Sequence, residues 1–175
     1  MAGPGVSILF DFARDETVVA AIRDACHSTA THIEGDDFWV ESTSCIDGSY
    51  AGEGRPFIMW FADSSDDLEL GEDISLYATA LGWLPKLTFG LAAMCNQDAD
   101  HRILAELSCY ICNTHGGAIT MHGDFDYVCR NRTFRERFHG HPDVVTVELE
   151  DSRSQLFQPS ILADWMAHPE FRMLK

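Results

Sequence analysis

Apolar positions along the chain recur with two periods, and the switches between them mark out the elements. Val6 to Phe12 is a run of β-branched and aromatic residues and predicts a strand. Asp15 then suits a helix N-cap, with Glu16 favourable in the first turn. Val18, Ala21, Ile22, Ala25 and Cys26 follow at helical spacing, which predicts an amphipathic helix to about His27. Phe38 to Thr43 alternates like a strand. The turn-rich stretch Asp47 to Gly54 separates it from a second aromatic strand, Pro56 to Ala62, so the two should pair as a hairpin with a long loop.

The second half reads in the same way. Ile74 to Leu81 predicts a short helix stopped by Gly82. Leu87 to Cys95 is nearly continuous apolar sequence, the mark of a buried central strand. Asp98 or Asp100 is expected to cap the next helix. Its apolar stripe is Ile103, Leu104, Leu107, Tyr110 and Ile111, and Gly116-Gly117 ends it. Ala118 to His122 and Val144 to Leu149 read as strands on either side of a basic interlude, Arg130 to His141. Pro159 suits the first turn of a last helix, Ser160 to Ala167, which Pro169 stops. This order predicts one α+β domain over residues 1–175. Its form is a two-layer sandwich, a mixed, mostly antiparallel sheet with helices mainly on one face.

Composition makes that domain self-sufficient. At 175 residues and 46% apolar content the chain can bury a core without staples. The six cysteines are therefore expected to be reduced and mostly buried. No apolar run approaches the ~20 residues of a membrane span. Met1 to Gly5 has no basic residue to start a secretory signal, so a cytoplasmic location is expected.

Charge alters the picture more. The net charge is −16, and it is lopsided. Between Asp24 and Pro85 stand 13 acids and one base, Arg55; the rest of the chain carries 15 acids and 11 bases. Phosphates would be repelled, which argues against free nucleic acid as a partner. A basic protein would be attracted and steered.

Several groups could carry chemistry instead. His32-Ile33-Glu34 and Cys109-Tyr110-Ile111-Cys112 imitate the two halves of a zinc deaminase signature. The proline expected before the first cysteine is replaced by Ser108, and the cysteines fall inside a predicted helix. At ~100° per residue, His115 also points well away from Cys109, against a metal triplet there. His101 could be a base held by a carboxylate, or a ring packed in a first helical turn. His139 and His141 flank Gly140 in a loop, where solvation competes with metal binding. Arg130, Arg132, Arg135 and Arg137 could grip phosphate, or form an internal counter-patch to the acidic half. Trp39, Trp60 and Trp165 are expected in the core; Trp83, in a Gly-Trp-Leu-Pro turn, is the expected exposed anchor.

Two segments carry a resemblance. One is Cys95-Asn96-Gln97-Asp98-Ala99-Asp100-His101-Arg102-Ile103-Leu104-Ala105-Glu106-Leu107, with Gly116-Gly117 and Gly123 after it. The other is the tail from Leu162 to Lys175. Together they resemble a family of small, uncharacterised bacterial proteins that occur beside secreted polymorphic toxins and are similar to immunity proteins. That likeness implies a role, neutralising a cognate toxin domain, and offers no established active site to carry over. On this reading the docking residues are Asp63, Asp66, Asp67, Glu69, Glu72 and Asp73, a second patch of Glu34, Asp36 and Asp37, and Trp83. No metal or cofactor is expected. The competing readings are a metal-dependent or hydrolytic enzyme using His101 or the Cys109/Cys112 region, and a nucleic-acid factor using the arginines.

Overall fold

The continuous apolar run becomes strand β5 (Leu87–Ala93), which lies beside β1 (Gly5–Phe10) at the middle of one sheet. The computed structural model of the protein describes residues 3–63, 74–123, 125–150 and 153–173. Six further strands flank this pair: β2 (Ala30–Glu34), β3 (Asp37–Ser42), β4 (Ala51–Asp63), β6 (Ala118–His122), β7 (Val144–Glu148) and β8 (Arg153–Phe157). Their order is β2-β3-β4-β5-β1-β6-β8-β7, and every described pairing is antiparallel. The architecture is the α+β sandwich that the alternation of patterns predicts.

Side chains of period two divide the sheet into two faces. Ile8 and Phe10 pair with Phe89 and Leu87, and Phe57 and Met59 with Ala93 and Leu91, so these residues share one face. On it lie α1 (Glu16–Ser28) and α3 (Asp98–His115), with α4 (Phe125–Val128), α5 (Arg132–His139) and α6 (Pro159–Met166) closing the C-terminal corner. Helix α3 runs over β1, β5 and β6 and is buried along most of its length. Trp165 is 1% exposed, ringed by Phe125, Phe134 and Phe171.

Helix α2 (Ile74–Leu81) takes the other face. Its Tyr77 packs with Leu9, Val147 and Leu156, and Gly82 ends it at φ 74°. Trp83 is half-buried against this cluster, so the anchor expected to be exposed is a packing residue. The Tyr77 hydroxyl donates to Ser154 Oγ at 2.7 Å, which satisfies a polar strand residue under the helix.

Local signals placed most boundaries, and the exceptions have physical causes. Asp15 caps α1 through the amides of Thr17 and Val18, as its position predicts. At α3 neither aspartate is the N-cap. Gln97 is, and Asp100 sits at N3 and accepts the Gln97 N–H in a capping box. Strands β2 and β8 and the one-turn helix α4 have weak apolar patterns of their own, while α5 puts Phe134 and Phe138 at i, i+4 within the basic stretch. β2 is an edge strand, and β8 buries Ser154 and Gln155 against neighbours instead of a regular apolar stripe.

Candidate functional site

Only one half of the second face lies under α2. Across β3 and β4 the same face presents Trp39, Ile58 and Trp60, none of them buried; Ile58 is 37% exposed. Period two puts Asp37, Trp39 and Glu41 on this face, because Phe38 and Val40 point into the core. Glu34 pairs with Asp37 across the β2–β3 turn, and His32 pairs with Trp39, their rings 4.8 Å apart. The turn is two residues long, and Gly35 takes φ 67° in it. Trp60 lies flat because its neighbour on β5 is Gly90: a Cβ there would stand 2.0 Å from the indole ring.

The result is an aromatic patch bordered by carboxylates on the free edge of a sheet. Ala30 to Asp63 contains seven acids and one base. That base is withdrawn. Arg55 points to the helical face, where Nε and Nη2 each donate to Asp100 at 2.7 Å. Its hydrogen bonds to Asp100 raise the guanidinium pKa further above its ordinary value. Arg23, from α1, reaches Asp36 at 3.2 Å across the exposed turn. Among the described residues no cation is paired with Glu34, Asp37, Glu41 or Glu53.

Asp63 ends β4 opposite Leu87 and is exposed. It lies five residues beyond Ile58, the partner of Asp37, so it stands roughly 17 Å along the strand toward the same end of the sheet as the Asp36 turn. Asp66, Asp67, Glu69, Glu72 and Asp73 lie outside the described residues. The predicted second patch is therefore assembled, with Asp36 partly neutralised and Asp37 half-buried.

The loop behind this edge is held by one buried carboxylate. Glu106 of α3 accepts from Ser49 N at 2.9 Å, from Ser49 Oγ at 2.6 Å and from Thr43 Oγ1. Burial raises its pKa, but hydrogen bonds from the Ser49 and Thr43 side chains and the Ser49 and Tyr50 amides outweigh burial. The carboxyl is held below its usual 4.5.

The other sequence candidates are spoken for. His32 and Glu34 occupy the open face, while Cys109 and Cys112 lie on α3 on the opposite face, so the deaminase halves never meet. Both thiols are buried, donating to the Pro159 and Gly117 carbonyls, and burial pushes each up to about 12. His101 is 1% exposed. Its Nε2 is 3.0 Å from Asn96 Oδ1, and its Nδ1 accepts from Met173 N, tying the tail to α3. His139 meets Asp126 at 3.0 Å, while His141 accepts from Asp143 N, so the two rings do not converge. Among the described residues the arginine cluster is an internal counter-patch to its own segment. Arg132 pairs with Glu136, Arg135 with Asp126, and Arg137 lies over the Phe134 ring.

A family description matches residues 2–175, nearly the whole chain. The chain belongs to a family of unknown function, DUF6368. No curated protein and no solved structure matches it. Membership of this family assigns no activity, so function has to be read from the surface. No described helix is long and apolar enough to cross a membrane.

Trp39 and Trp60 are the site residues that sequence reasoning sent to the core. The signal against that reading was present. Asp37 and Glu41 flank Trp39 at period two, and carboxylates at those positions mark the face as solvent-facing.

Proposed function

We propose that this chain is a cytoplasmic binding domain that captures a basic protein on the open face of β2, β3 and β4. We further propose that the partner is the toxin domain of a toxin–immunity pair. The observation that carries the reading is the juxtaposition of Trp39, Ile58 and Trp60 with Glu34, Asp37 and Glu41 on one sheet face that no described helix covers. Aromatic side chains supply desolvated contact area at an interface centre, and rim charges set the encounter rate. The free edge of β2 adds unpaired backbone donors and acceptors to which a partner strand can bond. The toxin assignment comes from the resemblance in the Cys95–Leu107 and Leu162–Lys175 segments. Charge complementarity supports it, because a toxin that works on nucleic acid needs a cationic cleft.

Co-expression with the product of the adjacent gene, followed by binding kinetics at two ionic strengths, tests the proposal. A complex that survives purification, associates faster at low salt and weakens on Trp60→Ala is the expected result. Absence of any complex at micromolar protein would count against the toxin partner, and binding indifferent to both salt and Trp60 would rule out this face.

A further inference from the structure

At the C-terminal corner, well away in sequence from the acidic edge, three side chains of mixed chemistry converge. Cys129 follows α4 and is 0% exposed; His168 and Glu170 follow α6 and are half-buried. One ligand atom from each lies within 4.8 Å of the others. Tetrahedral zinc with these donor types would bring them to roughly 3.3–3.8 Å apart, a contraction of about 1 Å. Two of the three ligands belong to an exposed turn that can supply that movement.

The surroundings preset the donors. Glu170 Oε2 accepts the backbone N–H groups of Arg130 at 2.8 Å and Asn131 at 3.0 Å, which orients the carboxylate and leaves Oε1 as the outward donor. His168 Nδ1 accepts from Glu170 N at 3.1 Å. That contact occupies the Nδ1 lone pair, so a metal bond through Nδ1 would replace it. The ring is fixed by stacking on Trp165, with centroids 5.2 Å apart, and lies 4.6 Å from the ring of Phe134. Cys129 Sγ is 3.7 Å from the Asn131 carbonyl, a weak contact that a metal bond would replace. Beside the cluster opens a cavity of about 350 Å³, lined by Tyr127, Val128, Arg130, Glu170 and Arg172.

We propose that Cys129, His168 and Glu170 bind one divalent ion of the zinc class, with a water from the adjacent cavity as the fourth ligand. A thiolate and an imidazole select zinc over magnesium or calcium, which take oxygen donors. Three protein ligands and one open position is the pattern of zinc sites that keep water. The bound ion would staple the tail to the start of α5, joining residues about forty positions apart.

The test uses the full chain, stripped with chelator and titrated with Co²⁺ as a spectroscopic substitute for zinc. One Co²⁺ per chain, a thiolate-to-cobalt charge-transfer band and displacement by Zn²⁺ are expected. Cys129→Ser should abolish the band, while Cys45→Ser and Cys95→Ser, at the two cysteines that are not buried, should keep it. Glu170→Gln and His168→Ala should weaken Zn²⁺ binding by about tenfold or more, and they carry the test if Cys129→Ser does not fold. No band with wild-type protein at micromolar Co²⁺, or a band that survives in Cys129→Ser, His168→Ala and Glu170→Gln alike, would overturn the site.

Discussion

The two halves of the second sheet face carry the same alternation and put it to opposite use. Over β1, β6, β8 and β7, the residues Leu9, Leu156 and Val147 are covered by Tyr77 of α2. Over β3 and β4, the residues Trp39, Ile58 and Trp60 are left partly open with acids around them. Ion pairing divides in the same way. In the C-terminal half, Arg132, Arg135, Arg153 and Arg172 each meet a carboxylate. In the N-terminal half, Arg55 is turned through the sheet to Asp100 and Arg23 meets Asp36, while among the described residues no cation is paired with Glu34, Asp37 or Glu41. Charge and apolar surface can both be spent internally or both be left exposed, and among the described residues each half leans one way.

Substitutions in each half test that contrast. The largest effect should come from Asp100→Asn or Arg55→Ala. Asp100 is 0% exposed and Arg55 is 12% exposed at the side chain, so removing one partner leaves the other charge buried. A loss of about 3–5 kcal/mol in denaturant unfolding is expected. A loss below 1 kcal/mol would mean that Arg55 is free to serve the acidic edge after all.

Next is Trp60→Ala. It should raise the dissociation rate of the proposed complex, costing about 2 kcal/mol or more, or some 30-fold in Kd, with little change in stability. Collapse of the fold instead would place Trp60 with the core residues and erase the contrast between the halves. Comparable in size is Glu106→Gln. Losing hydrogen bonds to a buried carboxylate should cost about 1.5–3 kcal/mol near neutral pH. The folded-state pKa is depressed, so this stability is present above the ordinary value of 4.5 and is lost as pH falls through the folded value. Wild-type stability should therefore drop in that acid window, and the variant should show a shallower drop. Equal slopes would remove Glu106 as the anchor of the loop behind the edge.

Charge reversal at Glu34 and Asp37 to lysine should slow association with the partner by about tenfold at low salt, an effect that fades as salt rises. The same reversal at Glu136 in the neutralised half should leave association unchanged. The smallest effect is Arg132→Ala. Its pair with Glu136 is an exposed i, i+4 contact, 83% and 63% accessible, and its loss should change stability by less than about 0.5 kcal/mol. A larger change would show that the counter-patch holds more than its own segment together.

Much of this protein was legible in order. Asp15 capped α1, Gly82 stopped α2, Pro159 opened α6, and the run from Leu87 made a central strand, because each depends on neighbours a few residues away. β2 was the least legible strand: Ala30 to Glu34 buries little, so no apolar alternation announces it, although the two-residue Gly35-Asp36 turn hinted at a hairpin. The candidate face was half legible. Its acids showed in the charge count, but its tryptophans were assigned to the core because aromatic residues in strands usually go there.

The sequence alone determined most of the strands and helices and several of their ends, and that the first half would carry unbalanced negative charge. Those are properties of local propensity and of counting, and no long-range contact changes them. Tertiary structure alone decided that α2 would shield one half of a face and not the other. It also decided that Arg55 would serve Asp100, and that Cys129 would meet His168 and Glu170. Each of these depends on which distant segments the sheet order brings together, and sheet order is set by long-range burial that no window along the chain contains.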